Sequence, residues 1–266
     1  MHATKLDLRV WISAIFLVLT SSKGISSVVM ARLLGINQKT AWKIGHAIRE
    51  LMDDRDGLAG RLAGIVEVDE AYVGGKPKRR RGVKNKRGRG TSKPAVLVAV
   101  SRNGQARATL VPDTKTGTLE PILRGWIEPS ATLVSDGNSV YPRIAAAFAG
   151  HLSVQHNAQQ YACPKTGAHI NTAEAVNSVV KRAVTGVYHR LSRNHMQRYL
   201  DEILWRWNHR APETKITKRR SKSGLATSRE TTLWKPIPVV DQMRGLLCMA
   251  AGRELRRTPQ WGLRWP

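Results

Sequence analysis

Hydrophobic and polar positions divide the chain into stretches of different period. From Leu6 to about Met52 the apolar residues recur at helical spacing, with two short breaks. Leu6–Leu19 reads as one helix, stopped by Ser21-Ser22-Lys23-Gly24. Ser26 or Ser27 can cap a second helix that runs to Leu34, and Gly35 suits a left-handed cap at its end. Asn37 caps a third, Gln38 to about Met52, with Ala41 and Ile44 facing inward and Trp42 in the core. The apolar run Val10–Leu19 follows Lys5 and Arg9 as a secretory signal would. It is too short to span a bilayer and no small-x-small cleavage site follows, so a buried helix is expected.

After a polar, glycine-containing linker at 53–60 the period changes to two. Ile65–Val73 is rich in β-branched residues, ends on Gly74-Gly75 and carries Asp69 at its middle. Apolar residues on both faces mark it as a central strand. Ala95–Val100 and Ala106–Val111 flank Arg102-Asn103-Gly104, a hairpin signal. There follow a helix at Leu119–Ile127, a strand at Ala131–Val134 ending on Ser135-Asp136-Gly137, a helix at Ser139–Ala149 and a strand at Leu152–Gln155. A long helical region starts near Thr172. Val176, Val179, Val180, Ala183 and Val187 form its buried stripe, while Glu174, Asn177, Ser178 and Lys181 share another face. Met196, Tyr199, Leu200, Ile203, Leu204 and Trp207 make a further core stripe from which Trp205 points away, with base stacking as a minor reading for Trp205. Ala211–Thr232 reads as a basic, Ser/Thr-rich linker before an amphipathic helix at about Val239–Arg256, which docks on the same molecule or on a partner.

Charge changes the picture. The 266 residues hold 44 Lys plus Arg against 19 Asp plus Glu, a formal net charge of +25. So large an excess predicts a polyanion partner, most simply DNA or RNA, bound less tightly as salt rises. A membrane surface would need a long basic amphipathic helix, and the sequence has none. Residues 76–93 contain ten basic residues and no acidic one, so they are expected to stay loosely ordered until they meet phosphate. Arg79, Arg80, Arg81, Lys84, Lys86 and Arg87 are the contact candidates there. In the helical unit the spacing resembles a helix-turn-helix, with Gln38, Lys39, Thr40 and Lys43 toward the major groove. Two cysteines, Cys163 and Cys248, do not have metal spacing, so no zinc site is expected and a reducing cytoplasm fits.

The element order resembles the ribonuclease-H-like fold: α/β, a mixed five-stranded sheet with flanking helices, here preceded by an all-α unit. In that fold carboxylates stand on the first strand, at the end of the fourth and on the helix after the fifth. Asp69, Asp136 and Glu174 fall on those positions. Three such carboxylates can hold two hard cations for in-line attack at phosphorus. Each also has an ordinary role. Asp136 could cap the following helix, and Glu174 suits a helix first turn regardless of function. Glu67 shares a strand face with Asp69 as a ligand or ion partner, and Glu70 is expected to be structural or exposed. Asn171 is an oxygen ligand or an N-cap, and His169 a proton carrier or a structural residue.

Val-Glu-Val-Asp-Glu-Ala-Tyr-Val-Gly-Gly-Lys at 66–76, Ser-Asp-Gly at 135–137 and His-Ile-Asn-Thr-Ala-Glu at 169–174 resemble the DDE-type transposases of bacterial insertion sequences. So do Lys181-Arg182, Gly-Val-Tyr-His at 186–189 and the run from Arg198 to Arg210. The resemblance extends from about Leu8 to Arg210. It implies a catalytic, metal-binding triad of Asp69, Asp136 and Glu174 with Lys181 beside it, and Asn171 as a secondary candidate. It further implies Mg²⁺, with Mn²⁺ able to substitute, and cleavage and strand transfer on double-stranded DNA, at element ends and target. A homodimer or larger assembly on DNA, in the bacterial cytoplasm with the nucleoid, follows from the same resemblance. Members commonly begin with a zinc ribbon of two Cys-x-x-Cys pairs, whereas this sequence opens on the helical unit. The expected layout is a helix-turn-helix region at 1–56, a catalytic domain at 61–210 and a basic linker with a C-terminal helix at 211–266. A transposase-derived regulator without catalysis is the alternative, and a ribonuclease H acting on hybrids would leave the helix-turn-helix unexplained.

Overall fold

The computed structural model describes residues 4–53, 60–74, 91, 93–102, 104–154, 163, 167–189, 191–220, 226–251, 256–257 and 263–264. The basic-loop candidates Arg79, Arg80, Arg81, Lys84, Lys86 and Arg87 lie outside the described residues.

Three helices open the chain: α1 (Leu8–Thr20), α2 (Ser27–Leu34) and α3 (Gln38–Leu51). The caps of α2 and α3 are those the sequence suggested. Ser26 Oγ accepts the Val29 N–H, Asn37 Oδ1 accepts the Lys39 N–H, and Gly35 ends α2 in the left-handed region at φ +62°. Gly35 is needed there because a side chain would be strained at that φ.

The centre is a five-stranded sheet in the order β3-β2-β1-β4-β5, formed by β1 (Ile65–Tyr72), β2 (Ala95–Ser101), β3 (Ala106–Val111), β4 (Thr132–Asp136) and β5 (Gly150–Val154). β1, β2 and β3 are antiparallel neighbours, and β4 and β5 run parallel to β1. This is the ribonuclease-H-like arrangement. β1 is central, as its two-sided hydrophobicity requires.

Helices α4 (Thr116–Trp126) and α5 (Tyr141–Ala145) cover one face, where Val66, Val68, Leu97, Leu119, Leu123, Leu133 and Ile144 form a core. Helices α6 (Asn171–Ala183) and α7 (Arg193–Asn208) cover the other, over Val96, Val98, Val100, Val176, Val180 and Leu200. A π-helical turn, Val184–Tyr188, follows α6. α5 is shorter than the expected Ser139–Ala149 helix. After Ala145 the chain winds through tighter turns, with Ala147 N bonded to Ile144 O and Phe148 N to Ala145 O, and then enters β5.

Charge pairs join the helical unit to α7. Arg49 of α3 and Arg206 both bind the buried carboxylate of Glu202, and Arg198 binds Glu50. The Tyr188 hydroxyl donates to Glu202 at 2.9 Å, and the Arg49 guanidinium lies 4.3 Å from the Tyr199 ring centroid. Trp205, expected off the core stripe, is buried in the hydrophobic core of the helical unit. Helix α8 (Val239–Ala250) docks on the same core through the fully buried Leu246.

A further expectation is overturned. Where a linker was expected at Ala211–Thr232, the chain forms an antiparallel ribbon of β6 (Arg210–Arg220) and β7 (Ala226–Pro236). Its Lys, Ser and Thr residues lack a periodic apolar face, so nothing in the pattern marked it as strand. The described C-terminal residues include a two-residue pair, β8 (Arg256–Arg257) with β9 (Leu263–Arg264). Among the described residues no helix is long and apolar enough to cross a membrane.

Candidate active site

The site sits where β1 and β4 run side by side. Their parallel ladder pairs Glu67 with Val134 and Val68 with Ser135, so Asp69 and Asp136 are the next residues along each strand. Residues level with each other on parallel strands point to the same face. Both carboxylates therefore face α6. Carboxylate oxygens of Asp69, Glu70 and Asp136 lie within 4.8 Å of one another.

Asp69 is held from the helix. Asn177, buried in α6, donates through Nδ2 to Asp69 Oδ2 at 2.7 Å. The Asn177 Oδ1 atom is buried with no hydrogen-bond partner among the described residues. Burial pushes the Asp69 carboxyl above its ordinary value; the Asn177 bond opposes this, and the negative charges of Asp136 and Glu174 add to it. Such a group is poised to accept a cation, which would relieve the repulsion.

Asp136 forms a local turn in which its Oδ1 accepts the Asn138 N–H at 3.2 Å. α5 begins only at Tyr141, so Asp136 does not cap that helix. Glu70 was expected to be structural or exposed. It is half-buried, belongs to the carboxylate cluster, and its charge faces the Tyr141 hydroxyl, which burial and then Glu70 push well above the ordinary phenol range.

Glu67 has a different job. It is fully buried, accepting the backbone N–H groups of Thr172 at 2.7 Å and Ala173 at 3.1 Å and the Thr172 hydroxyl at 3.0 Å. Arg102 Nε donates to it at 3.0 Å, and His169 Nδ1 lies 3.3 Å away. Glu67 is thus the cap of α6, and its oxygens are committed to that helix rather than to the carboxylate cluster. Asn171, considered as an N-cap, is exposed at the first position of α6 and makes no capping bond. Glu174 and Lys181 lie on the exposed side of α6, and Glu174 is close enough to influence Asp69 without joining the 4.8 Å cluster.

In the helical unit Gln38, Lys39 and Lys43 are exposed and Thr40 is half-buried. Gln38 Nε2 donates to Ser27 Oγ at 2.8 Å, which ties the start of α3 to α2. Trp42 is half-buried against His46 and His195.

The sequence model for the ISXO2-like transposase domain matches residues 61–208, more than half of the chain. The chain belongs to that family. The matched region of this ISXO2-like transposase domain runs from the lead-in to β1 to the end of α7, and so takes in Asp69, Asp136, Glu174, Asn177 and Lys181. No curated protein matches the sequence. Among solved structures it is similar to a pre-cleavage Mos1 transpososome, at 10% identity over 79% of this chain and 78% of that one, with a TM-score of 0.31. A second is the Mos1 transposase paired-end complex with left transposon end, at 12% identity over 79% and 77%, TM-score 0.31. A third is the Mos1 strand transfer complex, at 10% identity over 79% of each chain, TM-score 0.25. Likeness this slight does not bear on what the present chain binds.

Proposed function

We propose that this ISXO2-like transposase domain protein cleaves DNA strands and transfers them to new sites, at the ends of an insertion sequence. The observation that carries the reading is the meeting of Asp69 and Asp136 on neighbouring parallel strands of a +25 chain. An all-oxygen donor set with several carboxylates fits a hard divalent cation, Mg²⁺ or Mn²⁺, better than zinc. Asp69 and Asp136 would hold the ions, with Glu174 from α6 as the third carboxylate and Glu70 as a competitor for that place. When bound, such ions activate a water or 3′-hydroxyl and stabilise the leaving oxygen at phosphorus.

The chain's own residues supply position. Asn177 holds one oxygen of Asp69 from the buried side of α6. Glu67 sets how far along β1 the helix α6 begins. Lys181, exposed two turns beyond Glu174, would contact the backbone phosphates next to the scissile one. Gln38, Lys39, Thr40 and Lys43 would read element ends in the major groove, with residues 76–93 adding affinity without sequence choice. Two ends must be joined together, so an oligomer on double-stranded DNA in the bacterial cytoplasm belongs to the reading.

A supercoiled plasmid carrying the encoding locus and its flanks tests it. Wild type with Mg²⁺ or Mn²⁺ should nick at the element's borders, and Asp69→Asn and Asp136→Asn should not. DNA binding without metal-dependent nicks by wild type would instead favour a transposase-derived regulator.

A further inference from the structure

The β6–β7 ribbon is an element that the catalytic reading does not use. Its strands run eleven residues each way, paired in unbroken register from Arg210 with Pro236 to Arg220 with Ala226. An isolated two-stranded ribbon is at best marginally stable in water, so an arm of this length calls for a partner.

Its base is built into the fold. The Arg210 guanidinium lies 3.7 Å from the Trp207 ring centroid and 5.6 Å from that of Trp234. Trp207 Nε1 donates to Gly104 O at 2.7 Å. Gly104, at φ +106°, lies so close to Trp234 that a Cβ there would come within 2.7 Å of the ring. Beyond this seat the residues whose burial is described, Ala211–Thr217, Ser228 and Glu230–Leu233, are all exposed. Successive strand residues point to opposite faces, so both faces are open.

Composition says what covers it. The two strands hold seven Lys or Arg against two Glu. One of those, Glu213, is paired with Lys235. The exposed large apolar residues Ile216 and Leu233 lie on opposite faces, since Leu233 pairs with Glu213, an odd number of residues from Ile216. Among the described residues neither face has the contiguous apolar patch that a second copy of the chain would need. Eleven strand residues span roughly 36 Å, about one turn of B-DNA, and a two-stranded ribbon is narrow enough for the major groove. We propose that the β6–β7 ribbon is a DNA-gripping arm that lies along the duplex and binds phosphates without reading sequence. The inference rests on DNA as the partner, but not on catalysis.

Two full-length variants test it. In one, residues 214–232 are replaced by Asn-Gly, which joins the paired residues Glu213 and Leu233 by a tight turn and keeps the Trp234 seat. The other carries Lys215→Gln, Lys218→Gln, Arg219→Gln and Arg220→Gln. Affinity for a random-sequence duplex is measured across a KCl series, alongside thermal unfolding and sedimentation. Each lost phosphate contact removes about 0.9 from the slope of log K against log salt, so the four-Gln variant should lose up to roughly 3.6 units of slope, and the shortened arm, which removes six Lys or Arg, should lose more, each with at least about tenfold in affinity. Their unfolding midpoints should match wild type. Slopes equal to wild type overturn the proposal, and a lost dimer at unchanged slope would assign the arm to a second copy. If wild type itself does not bind duplex, the DNA reading fails as a whole. If it binds with the same slope as both variants, only the arm fails.

Discussion

Glu67 and Ala173, 106 residues apart in the chain, are joined by a 3.1 Å hydrogen bond from the Ala173 N–H to the Glu67 carboxylate. With the Thr172 bond at 2.7 Å, it places the N-terminus of α6 on β1, two residues before Asp69 and one residue before Glu174. A buried carboxylate is favourable at a helix N-terminus, where the free N–H groups and the helix dipole meet it. The strand that carries one candidate ligand and the helix that carries another are thus held in one register by a third carboxylate.

Replacing Glu67 tests that role. Glu67→Gln keeps the shape but presents an amide N–H₂ toward backbone donors and removes the charge that Arg102 faces. Stability should fall by about 1–3 kcal/mol in a denaturant titration. Plasmid nicking should fall with it, while duplex affinity stays near wild type.

Asn177→Leu should weaken the site without unfolding the chain. It removes the donor to Asp69 and also the unpartnered Asn177 Oδ1, so stability should change little. The divalent-ion concentration giving half-maximal nicking should rise severalfold.

Asp69→Asn should stabilise the metal-free protein at neutral pH. The Asp69 carboxyl is raised in the folded chain, chiefly by burial, above an ordinary value of 3.8. The folded state therefore binds the proton more readily than the unfolded state does. Any stability tied to this group is fully present below 3.8 and is lost as pH rises from there through the folded value. The variant should lack that loss, which unfolding midpoints measured from pH 3 to 8 without divalent ions would reveal.

The interface between α3 and α7 should fail in acid. Burial alone would raise the Glu202 carboxyl, but Arg49 and Arg206 outweigh it and hold it below its ordinary value of 4.5. That stability is present above 4.5 and lost as pH falls through the lower folded value. Glu202→Ala strands the buried Arg49 and should cost about 3–5 kcal/mol. Proteolysis should then cut between the helical unit and the sheet.

His46 offers the opposite case. It packs against Trp42, His195 and Tyr199 with both ring nitrogens buried and without a partner among the described residues. Burial, with the nearby Arg49 charge, pushes it from 6.5 down to about 2, so it is neutral in the fold. Stability tied to it is present above 6.5 and drains away as pH falls toward 2. His46→Phe keeps the ring packing, removes the orphaned nitrogens and should stabilise the chain by about 1–3 kcal/mol, more so at pH 5 than at pH 8. Thermal melts at the two pH values would check this.

The sheet was legible because its strands announce themselves. Val66, Val68, Leu97 and Leu133 are apolar at period two, and the hairpin and the turn after β4 carry Gly and Asp where the backbone turns. From that order the places of Asp69 and Asp136 followed. Glu70 was harder. Alternation puts it on the face opposite Asp69, and it does meet Tyr141 there, but the β1–β4 ladder ends at Val68 and Ser135. Past the end of the ladder, carboxylates from either face can meet. Asn177 was grouped with Glu174, Ser178 and Lys181, which are exposed, whereas it is buried and bonded to Asp69; that bond depends on where Glu67 starts the helix, a contact across more than a hundred residues. The ribbon had no apolar period, and its described residues from Ala211 to Thr217 and from Glu230 to Leu233 are exposed on both faces.

The most direct test of the central claim is Mn²⁺ titration followed by electron paramagnetic resonance, in wild type and in Asp136→Asn. If Asp69 and Asp136 form the metal centre, wild type takes up Mn²⁺ saturably, and Asp136→Asn loses that uptake while keeping its unfolding midpoint and duplex affinity. Equal, saturable uptake by both proteins would contradict the account, because the ion would then be held without the carboxylate pair on which the reading stands.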